Sequence, residues 1–106
     1  MQQHDDLQTA LALLFDNVPT GSKVSLFGSR ARGGARVKSD HDFLVIEPRV
    51  RDCFAEMVRL SSLLGSALIP ADILVLSEST FQRWRREPNS LANHAWREGR
   101  IYESVA

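Results

Sequence analysis

The chain is poor in cysteine: Cys53 stands alone among 106 residues. One thiol excludes an internal disulfide framework and offers no cysteine cluster for zinc. An excess of charge is missing too, since 13 Lys and Arg balance 13 Asp and Glu. Nothing global therefore argues for a nucleic-acid-binding surface or a helix lying on a membrane. Long apolar runs are absent, and stretches such as 71–76 are far too short to span a bilayer. The start, Met1-Gln2-Gln3-His4-Asp5-Asp6, is polar and acidic, unlike the basic opening of a signal peptide. A cytoplasmic, reducing location is the expectation. With 43% hydrophobic and 25% charged residues, the composition is that of a globular domain. At this length, residues 1–106 form one domain around one hydrophobic core.

What is present is a clear alternation of patterns. Leu7, Leu11 and Leu14 recur at i, i+4 and i+7, which predicts an amphipathic helix over 6–17. Pro19-Thr20-Gly21-Ser22 ends it. A short strand follows over 24–27, and Arg30-Ala31-Arg32 begins a short helix that Gly33-Gly34 ends. The apolar run 42–46 is a second strand, stopped by Glu47-Pro48. Between 50 and 64 the positions Phe54, Met57, Val58, Ser61 and Leu64 have helical spacing, with Gly65 as the expected C-terminal cap. A third strand is expected over 71–76 and a helix over 77–86, capped by Ser77 or Ser79. A last helix spans 91–98, with Gly99 as its stop. Strands alternating with helices predict an α/β (α+β) domain, one small sheet covered by helices. The link between the first two strands is short for a parallel crossover, so a mixed sheet of about three to four strands is expected.

Phe27-Gly28-Ser29-Arg30-Ala31-Arg32-Gly33 joins a strand to a helix. Gly28 allows the backbone to approach a ligand closely, and free N–H groups at a helix start bind anions. The Ser29 hydroxyl adds a donor for a phosphate oxygen. No Gly-Lys-Ser/Thr follows, so this is not a Walker A loop, and alone it also reads as an ordinary turn. Ser39-Asp40-His41-Asp42 opens the next strand. Side chains at i and i+2 share a strand face, so Asp40 and Asp42 point together. Adjacent carboxylates repel unless a cation sits between them, and hard oxygen ligands of this kind suit Mg²⁺. An exposed acidic loop is the plainer reading, but the apolar Phe43-Leu44-Val45-Ile46 directly after it places the pair at the mouth of a buried strand. Asp72 opens another apolar strand, where a buried carboxylate needs a partner or a metal; taken alone, it reads as an exposed strand end or an ion pair with one of the eleven arginines.

Taken together, Gly28-Ser29, then Asp40-x-Asp42, then Asp72 on a later strand resemble the DNA polymerase β-type nucleotidyltransferase superfamily. The length and the wording Gly-Ser-Arg-Ala-Arg-Gly with Ser-Asp-x-Asp resemble its minimal nucleotidyltransferase (MNT) group. Trp96-Arg97-Glu98-Gly99-Arg100-Ile101-Tyr102 is similar to that group's usual ending. The resemblance implies a nucleotidyltransferase fold. It implies that Gly28 and Ser29 hold the triphosphate of ATP, with Arg30 beside them as a further phosphate contact or a solvent- or partner-facing charge, and that Asp40, Asp42 and Asp72 ligate two Mg²⁺ ions and carry the catalysis. It further implies AMP transfer to a tyrosine of a HEPN (higher eukaryotes and prokaryotes nucleotide-binding) ribonuclease toxin, an antitoxin role of type VII kind within a hetero-oligomer. Two other readings stand beside it. One is a small-molecule transferase of the aminoglycoside-modifying kind that borrows an acceptor domain from a partner chain. The other is a non-catalytic antitoxin that only masks its toxin, though the complete aspartate set speaks against that.

Some residues tempt without adding to the site. Arg36 and His41 fit an R-x₄-H pattern similar to the HEPN nuclease motif, but here it lies across a loop and overlaps Asp40-x-Asp42. Arg83, Arg85 and Arg86 beside Trp84 read as a surface helix face, because a basic cluster without overall charge excess is weak evidence for nucleic acid. Trp96 and Tyr102 read as packing residues.

Overall fold

A computed structural model describes residues 2–27, 41–88, 90–98 and 100–103. Helix α1 (Gln2–Asp16) leads into strand β1 (Lys23–Phe27), and β2 (His41–Glu47) follows. Helix α2 (Cys53–Ser66), strand β3 (Ala71–Ser77), helices α3 (Glu78–Trp84) and α4 (Leu91–Glu98) and strand β4 (Arg100–Glu103) complete the order. The four strands form one mixed sheet in the order β3-β2-β1-β4. β1 runs antiparallel to both β2 and β4, whereas β2 and β3 are parallel. The parallel pair is joined through α2, the crossover that such pairing requires.

Strand β2 explains the layering. Phe43, Leu44, Val45 and Ile46 are all fully buried, the pattern of a strand covered on both faces. Phe43 and Val45 join Val24, Leu26, Ile73 and Val75 against Leu11 and Leu14 of α1 and Leu60 and Leu64 of α2. Leu44 and Ile46 face the other way, onto Phe81 of α3 and Ala92 and Ala95 of α4. The result is a three-layer fold with a core on each side of the sheet, where one core was expected.

Several local expectations shift. The predicted face of the crossover helix is shifted: Leu64 is buried and Met57 packs against the core as expected, with the unexpected Leu60 beside them, while Phe54 is 72% and Val58 49% exposed. Leu60 with Leu64 puts two large aliphatic groups inward, which the stripe through Val58 and Ser61 would not. Gly65 lies within α2 rather than capping it. Leu68 takes the left-handed conformation at φ 60° instead, and the N–H groups of Leu68 and Ile69 donate to the carbonyls of Gly65 and Leu64 at 3.0 Å each. This is the Schellman arrangement, with Ile69 and Leu64 meeting in the core. At the other end, the Asp52 carboxylate accepts from the Ala55 N–H at 3.0 Å and caps the helix. Ser77 caps α3 as expected, accepting from the Thr80 N–H. Residues 100–103, where no strand was placed, pair with β1 as β4. Gly21, at φ +91°, makes the turn into β1, a backbone state that suits glycine.

Candidate active site

The antiparallel register sets Phe27, the last residue of β1, opposite Asp42, the second residue of β2. The parallel register then sets Asp42 opposite Asp72 of β3. Neighbouring strands lie about 4.8 Å apart, so the backbones of the two aspartates are held side by side. Alternation along the strands assigns their faces. Asp42 shares a face with Leu44 and Ile46, and Asp72 with Leu74 and Leu76, so both carboxylates belong to the face covered by α3 and α4. Asp42 is half-buried and Asp72 exposed.

Exposure changes the argument for Asp72. Its carboxylate is not a buried charge forced to find a partner; it stands in solvent beside Asp42 because the parallel register brings it there. Two carboxylates so placed supply hard oxygen donors of the kind Mg²⁺ takes, so the described residues fit a divalent cation as far as they go. Among the described residues no group of three or more His, Cys, Asp or Glu stands close enough to hold a metal. Gly28, Ser29, Arg30, Asp40 and the short helix expected after them lie outside the described residues. Gly28 follows directly on Phe27 in the chain, and Asp40 directly precedes His41, the first residue of β2.

A second polar cluster escaped the sequence reading, which took Glu47 as a strand stop. Glu47 ends β2 with only 3% of its surface exposed, and its Oε2 is buried with no hydrogen-bond partner among the described residues. Burial, then a hydrogen bond with the Glu56 carboxyl and the charge on it, push the Glu47 carboxyl up to about 8. Arg59 grips Glu56 at two points, Nε to Oε1 at 2.9 Å and a terminal nitrogen to Oε2 at 2.6 Å. That grip, with the Glu47 hydrogen bond, lowers the Glu56 carboxyl to about 2. Arg59 also donates to the Asn17 carbonyl at 2.6 Å, tying the end of α1 to α2. The cluster lies five strand residues from Asp42, about 16 Å along β2. It is a structural device at the opposite end of the sheet. The only sequence signal was an acidic residue closing a strand that is apolar on both faces.

Residues 8–103 match the family of nucleotidyltransferase domains. Among solved structures the chain is similar to a presumptive nucleotidyltransferase from Sulfolobus solfataricus, at 26% identity and a TM-score of 0.57, over 74% of this chain and 70% of that one. It is also similar to a toxin–antitoxin solved with AMP-PNP, at 23% identity and a TM-score of 0.56, over 95% of this chain and 73% of that one. No match was found among curated proteins. Among the described residues no helix is long and apolar enough to cross a membrane.

Proposed function

Because this chain belongs to the nucleotidyltransferase domain family, we propose that it transfers AMP from ATP to a hydroxyl on a partner protein. The acceptor in this reading is a tyrosine of a cognate HEPN ribonuclease toxin, and the chain is the MNT-type antitoxin of a cytoplasmic hetero-oligomeric pair. One observation carries it: the register that pairs Asp42 with Asp72 at the sheet end from which β1 leads directly into Gly28-Ser29. The fold likeness to a toxin–antitoxin solved with AMP-PNP supports the nucleotide and the kind of partner.

In this reading Gly28 and Ser29 offer backbone N–H and hydroxyl donors to the β- and γ-phosphates, and Arg30 adds a charge. Asp40, Asp42 and Asp72 hold two Mg²⁺ ions, which when bound neutralise the phosphates and the developing charge of an in-line displacement. Asp72 orients the acceptor hydroxyl. Its oxygen would bond to the α-phosphorus as its proton passes to the Asp72 carboxylate, the bond from that phosphorus to the bridging oxygen would break, and pyrophosphate would leave. Positioning and charge neutralisation do most of such work, which is why few residues suffice.

The test uses ATP labelled at the α-phosphate, Mg²⁺ and the co-expressed partner. Wild type labels the partner and adds the mass of one or more AMP groups. Asp42→Asn with Asp72→Asn is expected to lower labelling by a factor on the order of 10³ with the melting temperature little changed, as for lost transition-state electrostatics. Labelling at the wild-type rate in the double variant refutes the site. Wild-type neutralisation of the toxin with no mass added refutes transfer and leaves masking.

A further inference from the structure

We propose that the outer flank of α2 is an interface between two copies of this chain, paired antiparallel about a two-fold axis so that Phe54 of each seats over Gly65 of the other. The inference is independent of the transfer reading above. Of the five large apolar side chains exposed among the described residues, three belong to α2 or the turn that ends it: Phe54 at 72%, Val58 at 49% and Leu68 at 88%. Of the 16 residues from 53 to 68 only Glu56 and Arg59 are charged, where the chain's 25% would put four. Those two bind each other, and Arg59 reaches the Asn17 carbonyl at the end of α1. Phe54, Val58, Ser61 and Gly65 are all exposed. At about 100° per residue they fall within an arc of about 60°, on the flank away from α1. β3, beneath α2, is the edge of the sheet, so no described element stands beside that flank.

Two neighbouring residues look exchanged when the chain is taken by itself. Gly65 stands inside the helix without a positive φ, where glycine weakens a helix and an added Cβ would meet nothing within 4 Å. Leu68, three residues on, holds the left-handed conformation that suits glycine, with its side chain in solvent. An aromatic ring laid over Gly65 and against Leu68 accounts for both. The missing Cβ makes the seat, and the leucine walls it.

The group that fits the seat is on the same helix. The spacing along Phe54, Val58, Ser61 and Gly65 is 4, 3 and 4, the same in either direction, and the side chains run large, large, small, small. A two-fold axis through the middle of α2 therefore sets Phe54 opposite Gly65 and Val58 opposite Ser61. Each large group meets a small one, the self-complementarity that an isologous interface requires. A parallel pair would instead set Phe54 on Phe54 and leave two glycines facing across a void. The net charge of zero puts no overall repulsion between copies. A helix of 14 residues is about 21 Å long. A contact of that length is at the small end of specific interfaces, so the dissociation constant is on the order of 10–100 µM. Asp42 and Asp72 belong to the other face of the sheet, so both copies keep their candidate sites open.

Sedimentation equilibrium of the full chain up to about 0.5 mM is expected to show a reversible monomer–dimer equilibrium. Val58→Asp weakens it at least tenfold with the circular dichroism unchanged, whereas Trp84→Asp, equally exposed on the other layer, leaves it as it was. Gly65→Leu adds apolar surface but fills the seat, so it too weakens the dimer at least tenfold. A tighter dimer in that variant would mean unspecific apolar contact and overturns the pairing. In a Cys53→Ser background, Ser61→Cys brings the two Cα atoms to about 6 Å across the axis, given a rise of 1.5 Å per residue and about 8 Å between helices. A disulfide forms there on mild oxidation. Ser66→Cys sets them about 20 Å apart and gives no disulfide dimer; linkage through both positions, as a parallel pair allows, refutes the arrangement. A chain that stays monomeric throughout refutes it as well. If Val58→Asp then abolishes capture of a co-expressed partner, the flank belongs to that partner instead.

Discussion

Replacing Glu47 by glutamine removes one titrating proton while preserving size, burial and the ability to donate a hydrogen bond to the Glu56 carboxylate. In the folded chain the Glu47 carboxyl is pushed from 4.5 to about 8, chiefly by burial and then by Glu56. A carboxyl raised on folding makes the native state bind more protons than the unfolded chain across that window. Stability therefore falls as pH rises from about 4.5 and levels off above about 8. The slope is about 1.4 kcal/mol per pH unit, so the whole window amounts to something on the order of 4–5 kcal/mol. That is a large share of the roughly 5–15 kcal/mol that stabilises a domain. Glu56 acts with the opposite sign. Its carboxyl is lowered to about 2 by the Arg59 grip, so its contribution is full above about 4.5 and is lost as pH falls towards 2. The pair together is most stabilising near pH 4.5. Urea unfolding at pH 5, 6, 7 and 8 tests this directly. Glu47→Gln is expected to gain on wild type by about 1 kcal/mol for each unit, flattening the alkaline side while leaving the acid side as it was. If the two proteins give parallel stability curves from pH 5 to 8, the Glu47 carboxyl does not hold its proton in the fold and the reasoning fails.

Two smaller perturbations test the ends of α2. Leu68 is 88% exposed and sits at φ 60°, so Leu68→Gly relieves a left-handed side chain at almost no packing cost. It is expected to raise stability by roughly 0.5 kcal/mol, the remainder after glycine's entropy in the unfolded chain, read as a small rise in melting temperature. Asp52→Ala removes the acceptor for the Ala55 N–H and is expected to cost about 1 kcal/mol in urea unfolding; a neutral result would show that the cap is replaced by water.

How much of this was legible beforehand depends on how local each signal is. Phe43 to Ile46 announced a buried strand, and Asp42 and Asp72 announced themselves as carboxylates where strands begin. The mixed sheet followed from the shortness of the link between β1 and β2. Other features need partners distant in the chain. Arg100 to Glu103 became a strand because β1, some 77 residues earlier, offers its free edge, and no four-residue pattern carries that information. The rotation of α2 was set by which side chains fill the space over Phe43 and Val45. The proton on Glu47 depends on Glu56 and Arg59 being folded onto it. The loop with Gly28, Ser29, Arg30 and Asp40, named from the sequence, lies outside the described residues.

The candidate site is tied to the core through the parity of the strands. Phe43 and Val45 belong to one apolar cluster, Leu44 and Ile46 to the other, and the same division runs through Ile73 and Val75 against Leu74 and Leu76. A slip of one residue between β2 and β3 would exchange these faces. It would drive Leu74 and Leu76 into the α1–α2 layer and turn Ile73 and Val75 towards α3 and α4. The same slip would move Asp72 to the face opposite Asp42, and no shared cation could bridge them. Neither aspartate specifies the pairing, since like charges set side by side oppose it. The apolar alternation does, and it holds two repelling carboxylates together at one sheet end. The register that fills both cores is the register that builds the pair.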